Sequence, residues 1–325
     1  MTNENPKYLI TGATGLIGSA IVRKLSIDGC LLTCPIRNLD KVKAMFSKEI
    51  FDKVRWVETS LEDYVNNLSE DVDYLIHCAS PTASKYFVEH PVETMRFNTE
   101  ITTALLEFAR KIDIKGFVYL SSLESYGTVL DDSKLIVEDF QGYVNPMETR
   151  SSYNMAKRMC ESLCHAYAEE YNVPVKVVRL TQTISPYIDD NDMRVFAQFA
   201  RLAAAGKDIE LHTEGAAARQ YIHIDDAVSA ILCVLHKGTP GDVYNAARED
   251  SFISVRDMAK FVQEQFNPSG KVVFHLRDDM GYAPTTKLRL ATDKLSNLGW
   301  KANNDLYAMF SDVISHLKEK QNSLG

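Results

Sequence analysis

Hydrophobic and polar positions in the first half of the chain fall into short apolar runs separated by amphipathic stretches. The runs predict strands at Tyr8–Thr11, Leu31–Ile36, Val54–Glu58, Tyr74–Cys78, Gly116–Ser121 and Val175–Leu180. Between them, apolar residues recur at three- and four-residue intervals. This predicts helices over Gly15–Asp28, Leu39–Ser47, Pro91–Lys111 and Ser152–Glu170. Alternating strands and helices predict an α/β fold, a doubly wound parallel sheet of the Rossmann type. After Leu180 the alternation breaks into mixed segments at Val195–Ala205 and Ile209–Ile222, an apolar helix at Asp225–His236 and a helical tail. The expected division is a dinucleotide-binding domain of residues 1–180 and 223–247, with a smaller interleaved substrate-binding domain of residues 181–222 and 248–325. Two units joined this way leave a cleft for a small ligand.

Composition narrows the class. With 325 residues, 45% hydrophobic and 25% charged, the chain can bury a substantial core and is not a disordered protein. Met1–Lys7 is polar, and the most apolar stretches, such as Ala227–Leu235, are far too short to span a bilayer. A cytoplasmic protein with no membrane partner is expected. A formal net charge of −8 argues against a nucleic-acid partner and leaves room for an anionic substrate in a local basic pocket. The cysteines, Cys30, Cys34, Cys78, Cys160, Cys164 and Cys233, form no C-x-x-C pair. Cys160 and Cys164 share a predicted helix but lack partners at zinc-like spacing, so reduced core thiols and no metal are expected. His212, His223, His236 and His275 are scattered and read as polar structural groups.

Three elements carry candidate chemistry. The first strand runs into Thr11-Gly12-Ala13-Thr14-Gly15-Leu16-Ile17-Gly18 and then at once into a helix. Glycines there permit a tight turn, close backbone approach to a pyrophosphate, and helix-to-strand packing, with the phosphate at the positive helix end. At the end of the second strand, where an acidic residue usually holds the adenine ribose, the chain reads Thr33-Cys34-Pro35-Ile36-Arg37-Asn38. With no carboxylate there, Arg37 suits a 2′-phosphate, so the cofactor reading is NAD or NADP with NADP slightly favoured. The second element is Tyr153-Asn154-Met155-Ala156-Lys157, whose spacing of four puts phenol and ammonium on one helix face. A nearby cation stabilises a phenolate, which makes Tyr153 a candidate acid/base and Lys157 its partner. Third, the strand ending in Ser122-Leu123-Glu124-Ser125-Tyr126-Gly127 brings the Ser122 hydroxyl to a carboxyl edge of the sheet, where ligands sit.

In this order and spacing the elements resemble the extended short-chain dehydrogenase/reductase family, the NAD(P)-dependent nucleotide-sugar epimerases, dehydratases and decarboxylases. Within it they are most similar to UDP-glucuronate decarboxylase and sugar 4,6-dehydratase members. Ala79-Ser80-Pro81 with Tyr86, Pro91 and Thr94 resembles the decarboxylase loop, and Arg219-Gln220-Tyr221-Ile222-His223-Ile224-Asp225-Asp226 is similar to a family segment whose Arg contacts the nucleotide diphosphate. The resemblance implies further cofactor positions at Ser60, Leu61, Cys78, Ala79, Ser80, Asn98 and Thr181. It implies substrate positions at Pro81, Ser122, Gln182, Arg194, Arg219 and, approximately, Arg289 or Lys287. Leu123 stands where 4,6-dehydratases carry an Asp. A homodimer through the helices Pro91–Lys111 and Ser152–Glu170 is implied in the same way.

The expected reaction is transient oxidation at C4 of a nucleotide-diphosphate sugar, leading to inversion, elimination or decarboxylation, with Tyr153, Lys157, Ser122 and Glu124 as catalytic residues. Two alternatives compete with it. One is an NADPH-dependent carbonyl reductase, suggested by Arg37; the other is a catalytically inactive dinucleotide sensor.

Overall fold

The computed structural model describes residues 5–129, 133–189, 191–277 and 287–324. From the amino terminus it alternates β1 (Lys7–Thr11), α1 (Leu16–Ile27), β2 (Leu31–Ile36), α2 (Leu39–Met45), α3 (Lys48–Lys53), β3 (Val54–Glu58), α4 (Leu61–Asn66) and β4 (Tyr74–His77). Then come α5 (Ser84–Glu89), α6 (Pro91–Lys111), β5 (Gly116–Ser122), a 3-10 turn at Leu123–Tyr126, α7 (Ser151–Tyr171) and β6 (Val175–Leu180). The later elements are β7 (Gln182–Ile184), α8 (Val195–Ala204), β8 (Ile209–Leu211), β9 (Ala218–Arg219), β10 (Tyr221–His223), α9 (Ile224–Lys237) and β11 (Val243–Ala246). The chain closes with β12 (Ile253–Ser254), α10 (Val255–Phe266), β13 (Val272–Phe274), β14 (Lys287–Leu288), α11 (Asp293–Ser296) and α12 (Leu306–Leu324).

A seven-stranded sheet in the order β11-β6-β5-β4-β1-β2-β3 is parallel throughout. Strand order reverses between β1 and β4, the place where a doubly wound sheet opens a crevice at its carboxyl edge. Helices cover both faces, which is why most of the strands read as nearly continuous apolar runs. One core packs α1 and α9 against the sheet through Ile21, Val22, Ala227 and Ile231; the other packs α6 and α7 through Leu105, Leu106, Cys160 and Cys164. A third core joins α8, α10 and α12 through Phe196, Met258 and Phe310 beyond the sheet.

Several elements depart from the sequence expectation. The expected helix Leu39–Ser47 stops at Met45 and a new one starts at Lys48, because Ser47 accepts a hydrogen bond from Ile50 N and acts as a fresh cap. Gly15 caps α1 rather than joining it, and β4 ends at His77, one residue short of Cys78. Helices α4 and α5 are too short to show a helical period. The mixed stretch Ile209–Ile222 resolves into β8, β9 and β10, which pair in three separate small sheets. Pairing partners far away in sequence, such as β13 for β8, decide this, and periodicity does not carry that information.

Candidate active site

The glycine turn is shaped by its own contacts. Gly12 has φ +73°, and a Cβ on it would stand 2.7 Å from Ala79 N. A Cβ on Gly18 would stand 2.2 Å from Gly12 O. Gly12 and Gly18 therefore have no room for a side chain, and Gly12 lies directly against the loop that follows β4. No side chain caps the start of α1 at Gly15, which leaves free backbone N–H groups at the positive helix end. These residues fit a dinucleotide: the cradle is bare and polar, and a carboxylate cap does not fill it. Thr14, Leu16 and Ile17 complete this turn, half-buried.

Beside the turn, Thr11 Oγ1 lies 2.7 Å from His77 Nδ1, and Thr102 Oγ1 3.3 Å from His77 Nε2. Burial holds the His77 ring neutral, with its pKa lowered to about 3, and the charge of Lys157 adds to this. His77 thus ties β1, β4 and α6 together at the floor of the crevice. Ser80 Oγ donates to Asn98 Oδ1 at 2.8 Å, and Asn98 in turn donates to Thr94 O at 2.7 Å, which fixes the loop after β4.

Helix α7 presents Tyr153, Ala156, Lys157, Cys160, Cys164 and Ala168 as its buried stripe, so the phenol and ammonium face the sheet. Tyr153 is 6% exposed. Burial pushes its phenol up to about 12, the charge of Glu124 adds to the rise, and hydrogen bonding with the Ser122 and Ser80 hydroxyls works against it. Three sequence-predicted groups, Tyr153, Ser122 and Ser80, therefore converge. Lys157, 2% exposed, donates to Leu120 O at 2.8 Å and stands 5.6 Å from the Tyr153 ring centroid. Burial pulls its ammonium down to about 8. Glu124 is held at its side: Asn154 Nδ2 donates to Glu124 O at 2.7 Å and lies 3.5 Å from Oε2, and Arg150 Nη2 stands 3.7 Å from Oε2.

Sequence reasoning missed the groups around this centre. Phe87 of α5 stacks on Tyr153 with centroids 4.9 Å apart and planes 14° from parallel. Arg150 lies over the Phe87 ring at 5.3 Å. Behind Ser122, Glu161 accepts from Ser121 and pairs with Arg179 at 2.7 Å, and Arg179 covers the Tyr126 ring at 4.5 Å. The i, i+4 spacing of Lys157 and Glu161 could have flagged Glu161, but nothing in the sequence points from Phe87 to Tyr153.

The remaining predicted positions lie as follows. Arg37 is exposed just past the end of β2, one residue beyond Ile36, whose partner in register on β3 is Glu58. Glu58 Oε1 accepts from Leu39 N at 2.8 Å. Ser60 caps α4 through Asp63 N at 3.0 Å, with Leu61 buried behind it. Cys78 and Pro81 are half-buried on the loop after β4. Thr181 donates to Gln220 O at 2.7 Å, and Gln182 opens β7. Arg194 is engaged by Asp192 at 2.6 Å and covers Phe196 at 4.6 Å. Arg219 on β9 is in register with Leu288, and the next residue, Arg289, lines a cavity of about 380 Å³ with Arg248 and Trp300. All six cysteines are free, and Cys34, Cys160 and Cys164 are buried. Among the described residues no helix is long and apolar enough to cross a membrane.

A UDP-glucuronic acid decarboxylase 1 of Xenopus tropicalis is 26% identical over 276 residues, covering 83% of this chain and 63% of that protein. The chain thus spans less than two thirds of that relative's length. A UDP-glucuronic acid decarboxylase 5 of Arabidopsis thaliana is 26% identical over 307 residues, covering 88% of this chain and 87% of the relative. Among solved structures, a UDP-glucose 4-epimerase of Thermotoga maritima superposes with a TM-score of 0.83 at 21% identity, covering 97% of this chain and 99% of the other. A UDP-N-acetylglucosamine 4-epimerase of Methanobrevibacter ruminantium gives 0.84 at 17% identity, with 98% and 99% covered, so the fold is shared. Residues 8–247, from the first strand of the sheet to the end of the last, match the NAD dependent epimerase/dehydratase family, and the chain belongs to it.

Proposed function

We propose that the chain oxidises C4 of a nucleotide-diphosphate sugar transiently and completes its chemistry at C5, acting on a uronic acid such as the UDP-glucuronic acid named for its relatives. The observation that carries this reading is the convergence of Tyr153, Ser122 and Ser80 beside the glycine cradle, with the Glu124 carboxylate close enough to act on Tyr153. When bound, a nicotinamide dinucleotide supplies the oxidant for C4 and the reductant that restores it. Gly12, Thr14, Gly15 and Gly18 with the start of α1 would hold its pyrophosphate, and Ala79, Ser80 and Asn98 its nicotinamide side.

Tyr153 takes the proton of the sugar 4-hydroxyl as C4 loses its hydrogen as hydride. Ser122 orients that oxygen, and the Lys157 charge favours the phenolate. A 4-keto sugar carrying a C5 carboxylate is a β-keto acid. Its C5–C6 bond breaks, carbon dioxide leaves, and C5 takes up a proton. Glu124, held by Asn154 and Arg150, is placed to manage that proton. Arg219 and Arg289 suit the diphosphate as bidentate donors, with Arg194 and Gln182 on the sugar side. In this reading residues 1–180 and 223–247 hold the dinucleotide, and residues 181–222 and 248–325 hold the sugar nucleotide. Two copies pair through α6 and α7.

NADP is accepted as well as NAD in this reading, since Arg37 stands open at the end of β2 where a 2′-phosphate would lie. The test is incubation with UDP-glucuronic acid and either dinucleotide, with carbon dioxide release and product NMR. A UDP-pentose formed without net cofactor consumption is expected. Net NADPH consumption on simple carbonyls, with no dependence on the nucleotide, would replace this reading with a carbonyl reductase.

A further inference from the structure

We propose that Phe87 is a positioning residue that walls one face of the Tyr153 phenol off from water. The inference rests on Tyr153 being the acid/base of the reaction above. Phe87 belongs to the short helix α5, between the end of β4 and α6. Its ring lies nearly parallel to that of Tyr153, 4.9 Å away, and is only 3% exposed. Two further contacts lock it there. Ser152 Oγ donates to Phe87 O at 3.0 Å, tying α5 to the turn of α7 that carries Tyr153, and the Arg150 guanidinium covers the Phe87 ring at 5.3 Å. Arg150 also faces Glu124 at 3.7 Å, so ring, cation and carboxylate form one assembly around the phenol.

A buried apolar ring beside a phenol disfavours the phenolate by keeping water away. The charged and titratable groups facing Tyr153 from its other neighbours are Glu124 after β5, Lys157 on α7 and Tyr119 on β5. On α5 itself, Lys85 and Glu89 pair with each other at 3.8 Å with both side chains exposed, so that helix offers the phenol an apolar face. The Phe87 wall makes the phenol a reluctant base until a bound cationic nicotinamide adds its charge to that of Lys157. This restrains proton abstraction in the cofactor's absence.

The test is an NMR titration of protein labelled at tyrosine Cζ, free and loaded with NAD, with the Tyr153 signal identified by its loss in Tyr153→Phe. Phe87→Ala should bring the Tyr153 ionisation down by about one pH unit or more, a tenfold easier loss of the proton. Phe87→Leu, which refills the space, should stay near wild type. If Phe87→Ala does not hold its fold, judged by circular dichroism, Phe87→Val is read in the same way with a smaller shift expected. A folded Ala or Val variant whose Tyr153 titrates like wild type would overturn the proposal, and so would Phe87→Leu moving as far as Phe87→Ala. The titration needs no turnover, so its failure is separate from failure of the product assay that tests the sugar-nucleotide reading.

Discussion

Replacing Lys157 by methionine should make the cofactor-free protein more stable at neutral pH while abolishing its chemistry. The side chain is 2% exposed, and burial holds its ammonium at about 8 where an unburied lysine sits near 10.5. That gap corresponds to about 3 kcal/mol spent on keeping the charge inside the fold. Below pH 8 the folded and unfolded chains both carry the proton, and the whole penalty applies. Between about 8 and 10.5 only the unfolded chain keeps it, so the stability contributed by this position rises with pH across that window. Methionine fills a similar volume without the charge but leaves Leu120 O without its donor, at a cost of about 1 kcal/mol. The net gain at pH 7 is about 2 kcal/mol. With an unfolding entropy of roughly 2 cal/mol/K per residue over 325 residues, the melting temperature should rise by about 3 °C. The assay is calorimetry of both proteins from pH 7 to pH 10. A Lys157→Met protein that melts below wild type at pH 7, or whose advantage does not shrink toward pH 10, would refute the reasoning.

Other changes have equally definite outcomes. Tyr153→Phe should lower kcat by about a hundredfold or more without moving the melting temperature by more than a degree or two, as read by product NMR and calorimetry. Glu161→Ala leaves Arg179, whose side chain is 6% exposed, as an unpaired buried cation, and should cost about 3–5 kcal/mol in chemical denaturation. Gly18→Ala must push its new Cβ away from Gly12 O, 2.2 Å off in the present backbone. Dinucleotide affinity measured by calorimetric titration should fall at least tenfold. Arg37→Ala should weaken NADP binding severalfold while leaving NAD binding unchanged, measured side by side.

The two halves of the site differed in how openly the sequence displayed them. The glycine turn was legible because its constraint is local: Gly12 needs positive φ, and strand and helix flank it directly in the chain. Tyr153 and Lys157 were legible as a helix-face pair for the same reason, since a spacing of four fixes their shared direction. Ser122 followed from the position of its strand in an alternating pattern, and Glu124 from resemblance to the family. Arg37 at the tip of β2 was visible too, but the place of Glu58 at the same end of the sheet was not, because the Ile36↔Glu58 register is a pairing between separate strands.

What only the tertiary structure decided were relations between segments distant in sequence. Phe87 reaches Tyr153 across 66 positions, His77 joins Thr11 to Thr102, and Glu161 reaches back to Ser121. The small sheets of the later chain depend on partners such as β13 for β8, which no local period announces. Backbone preference, periodicity and helix-face geometry act over a few residues, so the chain by itself fixes its repeating elements and the chemistry carried within each one. How deeply a phenol or an ammonium is buried depends on which other segments pack over it, and that burial sets the proton affinities on which the proposed chemistry runs.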